Sequence, residues 1–95
     1  MSLGMYVLDR SGRQLRYLSD DMDNSFIKIC ESAPPESVRS GVMKYGDAMF
    51  NRNQLMRLIE ELEALEGEPP PVVVDILDAA RYAWRESLYL FIRGD

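Results

Sequence analysis

Two Gly-Asp dipeptides, Gly46-Asp47 and Gly94-Asp95, together with Arg52, are the residues of this chain whose types and spacing invite a chemical reading. If a final strand returns the chain end to the loop ahead of a long helix, Asp47, Asp95 and the terminal carboxylate converge. Such a cluster could do general acid–base work or hold a hard divalent cation. Arg52 could answer those carboxylates and pin the chain end to the helix start, or grip a ligand carboxylate with its planar fork. Both aspartates also suit ordinary turns, where Asp accepts hydrogen bonds from nearby backbone amides, and that reading carries more weight.

Most other chemistry is excluded by missing residue types. With no histidine in the chain, Ser-His-Asp and Cys-His catalysis and His-based zinc sites fall away. The single cysteine, Cys30, can build neither an internal disulfide nor a zinc or iron–sulfur centre, and reads as a small buried apolar side chain. The glycines form no G-x-G-x-x-G and no Gly-Lys-Ser/Thr phosphate cradle. The expectation is a protein without a cofactor and without a catalytic set.

Charge narrows the partners. Residues 1–50 carry six Lys/Arg against seven Asp/Glu, and residues 51–95 carry five against nine, for a net charge of −5. A phosphate backbone needs clustered positive charge, and a nucleic-acid reading would have to assemble Arg10, Arg13, Arg16 and Lys44 into one stripe. Neither nucleic acid nor an anionic membrane surface is expected as a partner. No run approaches the roughly 18 apolar residues of a membrane span. The opening "MSLGMYVLDR" lacks a basic region followed by an apolar core, so a reducing cytoplasm is the expected compartment. Met5 could serve as a start, and Met-Ser-Leu-Gly is given no structural weight.

The elements that must position these residues follow from periodicity. Residues 5–18 read as a hairpin around "RSGR"; a two-residue turn at Ser11-Gly12 sets Leu8 opposite Leu15 and Tyr6 opposite Tyr17, with these four on the core face. Asp9, Gln14 and Arg16 then go to water, although Arg10 would face Arg13, which favours a longer turn. In "LSDDMDNSFIKICESAPP", Met22, Phe26, Ile27, Cys30 and Ala33 make a helical stripe behind three aspartates placed for the helix dipole. The rival is a strand over "SFIKIC", and the short helix is preferred. Val42 to Tyr45 is an optional middle strand.

"FNRNQL" is the clearest local signal. Asn51 as N-cap and Gln54 at the third helical position make a capping box, and Phe50 can staple onto Leu55. Leu55, Leu58, Ile59, Leu62 and Leu65 then repeat at helical spacing, with Glu60, Glu61 and Glu63 outside and Gly67 as the stop. After the rigid "EPPP", Pro71 opens a helix striped by Val73, Ile76, Leu77, Ala80, Ala83 and Trp84. "LYLFI" is a strand apolar on both faces, Leu88, Leu90 and Ile92 one way and Tyr89 and Phe91 the other. The closing Arg-Gly-Asp, attached to that strand, is not read as an adhesion signal, which needs an exposed loop outside a cell.

Together these predict one α+β domain over residues 1–95: a small, mainly antiparallel sheet packed against two long amphipathic helices, with a short first helix. The sheet comprises the N-terminal hairpin, an optional middle strand and a C-terminal strand inserted between earlier ones. "YGDAMFNRNQ" before a long helix, and a second helix leading into "LYLFIRGD", resembles a group of small uncharacterised bacterial proteins built around Gly-Asp-x-x-Phe-Asn and ending in an apolar strand with Gly-Asp. The resemblance spans Tyr45 to Asp95, implies no activity or cofactor, and draws attention to Gly46, Asp47, Phe50, Asn51, Arg52, Gly94 and Asp95.

The functional expectation is a non-catalytic cytoplasmic protein-binding domain, acting by self-association or on a basic protein partner. If the helices cover one sheet face only, Tyr89 and Phe91 need the first helix or a partner to cover them. The acidic helix could attract a basic protein, because complementary charge speeds encounter. The alternative is a small-molecule or divalent-cation site on the carboxylates near Asp47 and Asp95, with Arg52 beside them.

Overall fold

The computed structural model describes residues 3–42 and 46–94. Its strands are β1 (Gly4–Leu8), β2 (Gln14–Ser19), β3 (Asp47–Phe50) and β4 (Tyr89–Arg93), and its helices are α1 (Ser25–Glu31), α2 (Arg52–Glu63) and α3 (Pro71–Arg85). A 3-10 turn, Val38–Gly41, lies between α1 and β3. The sheet order is β2-β1-β4-β3 with every neighbouring pair antiparallel, so the last strand does enter between earlier ones.

The hairpin turn is longer than two residues. The Asp9 carboxylate accepts the Ser11 amide at 2.9 Å, the Ser11 hydroxyl at 2.7 Å and the Arg13 amide at 2.8 Å, while Gly12 supplies the positive φ of 87°. A bulge follows, pairing Leu8 with Gln14 and Val7 with Arg16. Tyr6 does face Tyr17, but the expected Leu8–Leu15 pair is lost because Leu15 is the extra residue.

The expected core face is also corrected. Met5 and Val7 are buried and pair with Ile92 and Leu90, which point the same way, whereas Tyr6 and Leu8 lie half-buried on the other side. Both sides of β1 are apolar, so alternation alone could not choose between them. Leu3 and Gly4 matter as well: Leu3 is only 3% exposed, its carbonyl accepts the Asp20 amide at 3.0 Å, and Gly4 begins β1.

Residues 25–31 are helical. Buried Asp20 anchors the helix start by accepting the Phe26 and Ile27 amides at 2.9 and 3.0 Å, and Asp21 accepts the Ser25 amide and hydroxyl. Asn24 enters with φ 56°, so Met22 lies outside the helix, 98% exposed, and does not join the stripe of Phe26, Ile27 and Cys30. The middle strand falls at Asp47–Phe50, beyond the segment expected to form it. Val42 is buried without being in a strand, and residues 43–45 lie outside the described residues.

In α2 the capping box is complete: Asn51 Oδ1 accepts the Gln54 amide at 3.0 Å and Gln54 Oε1 accepts the Asn51 amide at 2.9 Å. Phe50 and Leu55 are both core residues, as a staple requires. Leu55, Leu58 and Leu62 of α2 face Val73, Ile76, Leu77, Ala80 and Ala83 of α3, and this layer rests on Met5, Val7, Leu90 and Ile92 of the sheet. Glu61 departs from the acidic outer face. Its carboxylate accepts the Val38 and Arg39 amides and Arg39 Nε at 3.0 Å, holding the 3-10 turn against α2.

Candidate functional site

The register of β3 on β4 brings the two Gly-Asp dipeptides together. Asp47 is the Cα partner of Arg93, and the Gly94 amide donates to the Gly46 carbonyl at 2.7 Å. Asp47 is exposed on the sheet face away from the helices, and Asp95 lies outside the described residues. Across the strand from Asp47 stands a cationic side chain, Arg93, an arrangement suited to cross-strand charge pairing. Among the described residues no three Asp, Glu or Cys side chains gather in a group able to hold a metal ion.

Arg52 is not part of that corner. It sits at the opposite end of β3, where its Nε donates to the Trp84 carbonyl at 3.1 Å and its guanidinium lies over the Trp84 ring, 4.6 Å from the centroid. The pairing expected with Asp47 does not form, because Arg52 is engaged by the last turn of α3. Trp84 itself is half-buried, one side against the core and the other beneath Arg52.

The stripe of basic residues is dispersed too. Arg13 pairs with Asp9 at 3.8 Å, Arg16 lays its guanidinium 4.1 Å from the centroid of Tyr82 on the helix side of the sheet, and Lys44 lies outside the described residues.

Tyr6 and Tyr17, expected on the core face, belong instead to a surface on the outer side of the sheet. All three helices pack on the side of Met5, Val7, Leu90 and Ile92. The residues between them in register form a continuous row across all four strands: Tyr17, Tyr6, Phe91 and Met49. Tyr17 is 55% exposed and Met49 50%, while Tyr6 and Phe91 are half-buried in the middle. The Tyr6 ring lies 5.0 Å from that of Tyr17 and 6.2 Å from that of Phe91. Gly4 makes room for it, since a Cβ there would come within 3.2 Å of the Tyr6 ring. Leu8 and Tyr89, partners in β1 and β4, widen the patch. The short helix α1 contributes its apolar side to the common core and leaves Tyr89 and Phe91 uncovered. The signal for this face was present in the two-sided apolar character of "LYLFI".

Recesses lie beside the helix ends. An apolar groove of about 400 Å³ between α2 and α3 is lined by Met56, Ile59 and Trp84, with Glu60, Arg81 and Arg85 at its rim. A polar cleft of about 500 Å³ lies where the hairpin turn, the start of α2 and the α3–β4 connection meet. No helix among the described residues is long and apolar enough to cross a membrane.

Comparison with protein-family models, curated proteins and solved structures finds no match to this chain.

Proposed function

We propose that this protein is a non-catalytic protein-binding domain whose docking surface is the outer sheet face and whose partner is a second copy of itself. The observation that supports this is the row Tyr17–Tyr6–Phe91–Met49, aromatic and thioether side chains presented from edge to edge of the sheet. Tyrosine, phenylalanine and methionine are enriched where proteins bind one another. The row also suits two-fold symmetry. A half-turn about an axis parallel to the strands sets Tyr6 over the second copy's Phe91 and Tyr17 over its Met49, and two such faces pack about 10 Å apart.

Charge favours this face over the helical one. Its rim carries Asp47 beside Arg93, charges of opposite sign, while the α2 surface presents Glu60 and Glu63 to a second copy that bears the same acids. Size sets the strength. Four strands of about five residues offer a flat footprint of roughly 300 Å², well short of the about 800 Å² per partner of a standard stable interface. The dimer is therefore weak and exchanging. The compartment proposed for it is the reducing cytoplasm, where the free thiol of Cys30 persists.

Sedimentation velocity across a dilution series from about 500 to 5 μM, the range in which an affinity of about −7 kcal/mol is visible, tests this. The average mass should rise towards twice that of the chain at the concentrated end, and Tyr17→Lys, at an exposed site, should keep the protein monomeric. A monomer throughout would refute self-association. Should a basic protein co-sediment through the acidic helix instead, the docking face has been misassigned.

A further inference from the structure

The polar cleft is built by three segments far apart in sequence: Arg10 from the hairpin turn, Asn51, Arg52 and Asn53 from the start of α2, and Ser87, Leu88 and Tyr89 from the α3–β4 connection. Among the described residues neither Arg10 nor Arg52 makes an ion pair. Arg52 is fixed in place by its stack on Trp84 and by its Nε bond to the Trp84 carbonyl, and its two terminal nitrogens make no hydrogen bond among the described residues. A guanidinium held on one edge and free on the others is a fork whose orientation is settled before a ligand arrives.

Neighbouring groups add donors. The capping box uses the Gln54 amide and leaves those of Arg52 and Asn53 at the positive end of a twelve-residue helix. Ser87 occupies the left-handed position, φ 57°, of a Schellman-type helix end in which the Leu88 amide donates to the Ala83 carbonyl at 2.8 Å. Glycine is the usual residue there; serine brings a hydroxyl to the cleft. The acids nearby are otherwise placed. Asp9 is spent on Ser11 and Arg13, and Glu86 lines an adjoining recess that shares Arg10, Ser87 and Leu88 with the cleft but is not among the cleft's own lining residues.

We propose that this cleft binds the phosphate group of a small phosphomonoester, with Arg10 and Arg52 on opposite sides of the anion and Leu88 and Tyr89 against its organic part. A tetrahedral dianion has three terminal oxygens to meet donors arriving from three segments, whereas a carboxylate offers two in one plane. The volume, about 500 Å³, leaves room for a small metabolite. The cleft borders the outer sheet face at Tyr89, but its phosphate-binding groups, Arg10, Arg52 and the α2 amides, lie outside the proposed dimer row.

The test is a titration of the ¹⁵N-labelled protein with phenyl phosphate, followed by amide shifts, with benzoate as the carboxylate arm. Amides of Arg52, Asn53, Ser87 and Leu88 should move together and saturate. Arg10→Gln, an exposed turn residue, should weaken binding about tenfold, the loss of one charge-assisted contact, and Arg57→Gln, farther along α2, should leave it unchanged. No saturable shift at these amides would overturn the proposal. So would equal weakening by Arg57→Gln, which indicates diffuse charge, or benzoate binding as tightly as phenyl phosphate.

Discussion

Arg52 and Trp84 join the beginning of α2 to the end of α3: the guanidinium stacks on the indole and donates to the backbone carbonyl of the same residue, at 3.1 Å. A cation at that spot also opposes the negative end of the α3 dipole. Three effects of different origin thus meet in one side chain, which is why this arginine serves the helix pair and not the carboxylates of the Gly-Asp corner.

Replacing Arg52 with Ala should destabilise the protein by about 1–2 kcal/mol, from the lost cation–π contact and the lost charged donor. Arg52→Lys keeps the charge without the planar fork and should recover less than half. Trp84 is the only tryptophan, so urea unfolding followed by its fluorescence reads both the stability and the uncovered indole. Unchanged emission and an unchanged midpoint would show that the stack contributes nothing.

Glu61 should matter more than its place among surface acids suggests. Arg39, 9% exposed, has Glu61 as its counter-ion, and the Val38 and Arg39 amides depend on the same carboxylate for an acceptor. Glu61→Ala is expected to cost about 2–3 kcal/mol because it strands a mostly buried cation. Adding Arg39→Met should restore part of that loss in the double variant. If the double variant is less stable than Glu61→Ala alone, the buried charge was not the source of the penalty.

Acid should weaken the region before α1. The Ser25 hydroxyl, then its amide, hold the Asp21 carboxyl below its ordinary value of 3.8, and the Ser11 hydroxyl and Arg13 amide do the same for Asp9. A carboxyl depressed in the folded state adds stability that is fully present above its unfolded value and is lost as pH falls through the folded one. Stability measured from about pH 5 down to about pH 2 should therefore fall, and Asp21→Asn should flatten that slope. An identical acid limb in the variant would exclude Asp21 as a contributor.

Alkali acts through Cys30. Burial pushes its thiol from 9.0 up to about 12, so the folded protein keeps it protonated where the unfolded chain ionises. The sign is a loss of stability as pH rises above about 9, and Cys30→Ala or Cys30→Ser should lessen that pH dependence. At pH 8 a thiol-specific disulfide reagent should label native protein only as fast as it unfolds. Prompt stoichiometric labelling without denaturant would contradict the buried, neutral thiol.

What could be read from the chain depended on whether one local pattern decided the outcome. The Asn51–Gln54 box, the two helical stripes and the two-sided strand expected at residues 88–92 each carry their own periodicity or donor–acceptor logic, and each formed, with α2 ending at Glu63 ahead of Leu65 and the strand set one residue on, at Tyr89–Arg93. The facing of β1 was not decidable that way, since Met5 and Val7 are no more apolar than Tyr6 and Leu8 are plausible, and only the helices' choice of side settles it. From sequence Arg52 reads as a partner of the nearby carboxylates, but its partner lies 32 residues away in a different helix. From sequence Asp20 is one of three dipole charges, and its direct hold on two amides six and seven residues ahead follows only from the backbone path through Asn24. Contacts between distant segments leave little trace in either segment alone.

The strand that enters the sheet last in sequence sits between β1 and β3, which do not pair with each other. During synthesis from the N-terminus, the hairpin and β3 therefore have no common edge until residues 89–93 emerge, and α2 and α3 must wait on an unfinished platform. Sheet closure is a late, long-range step, which slows folding and leaves an open strand slot exposed to other nascent chains in the meantime.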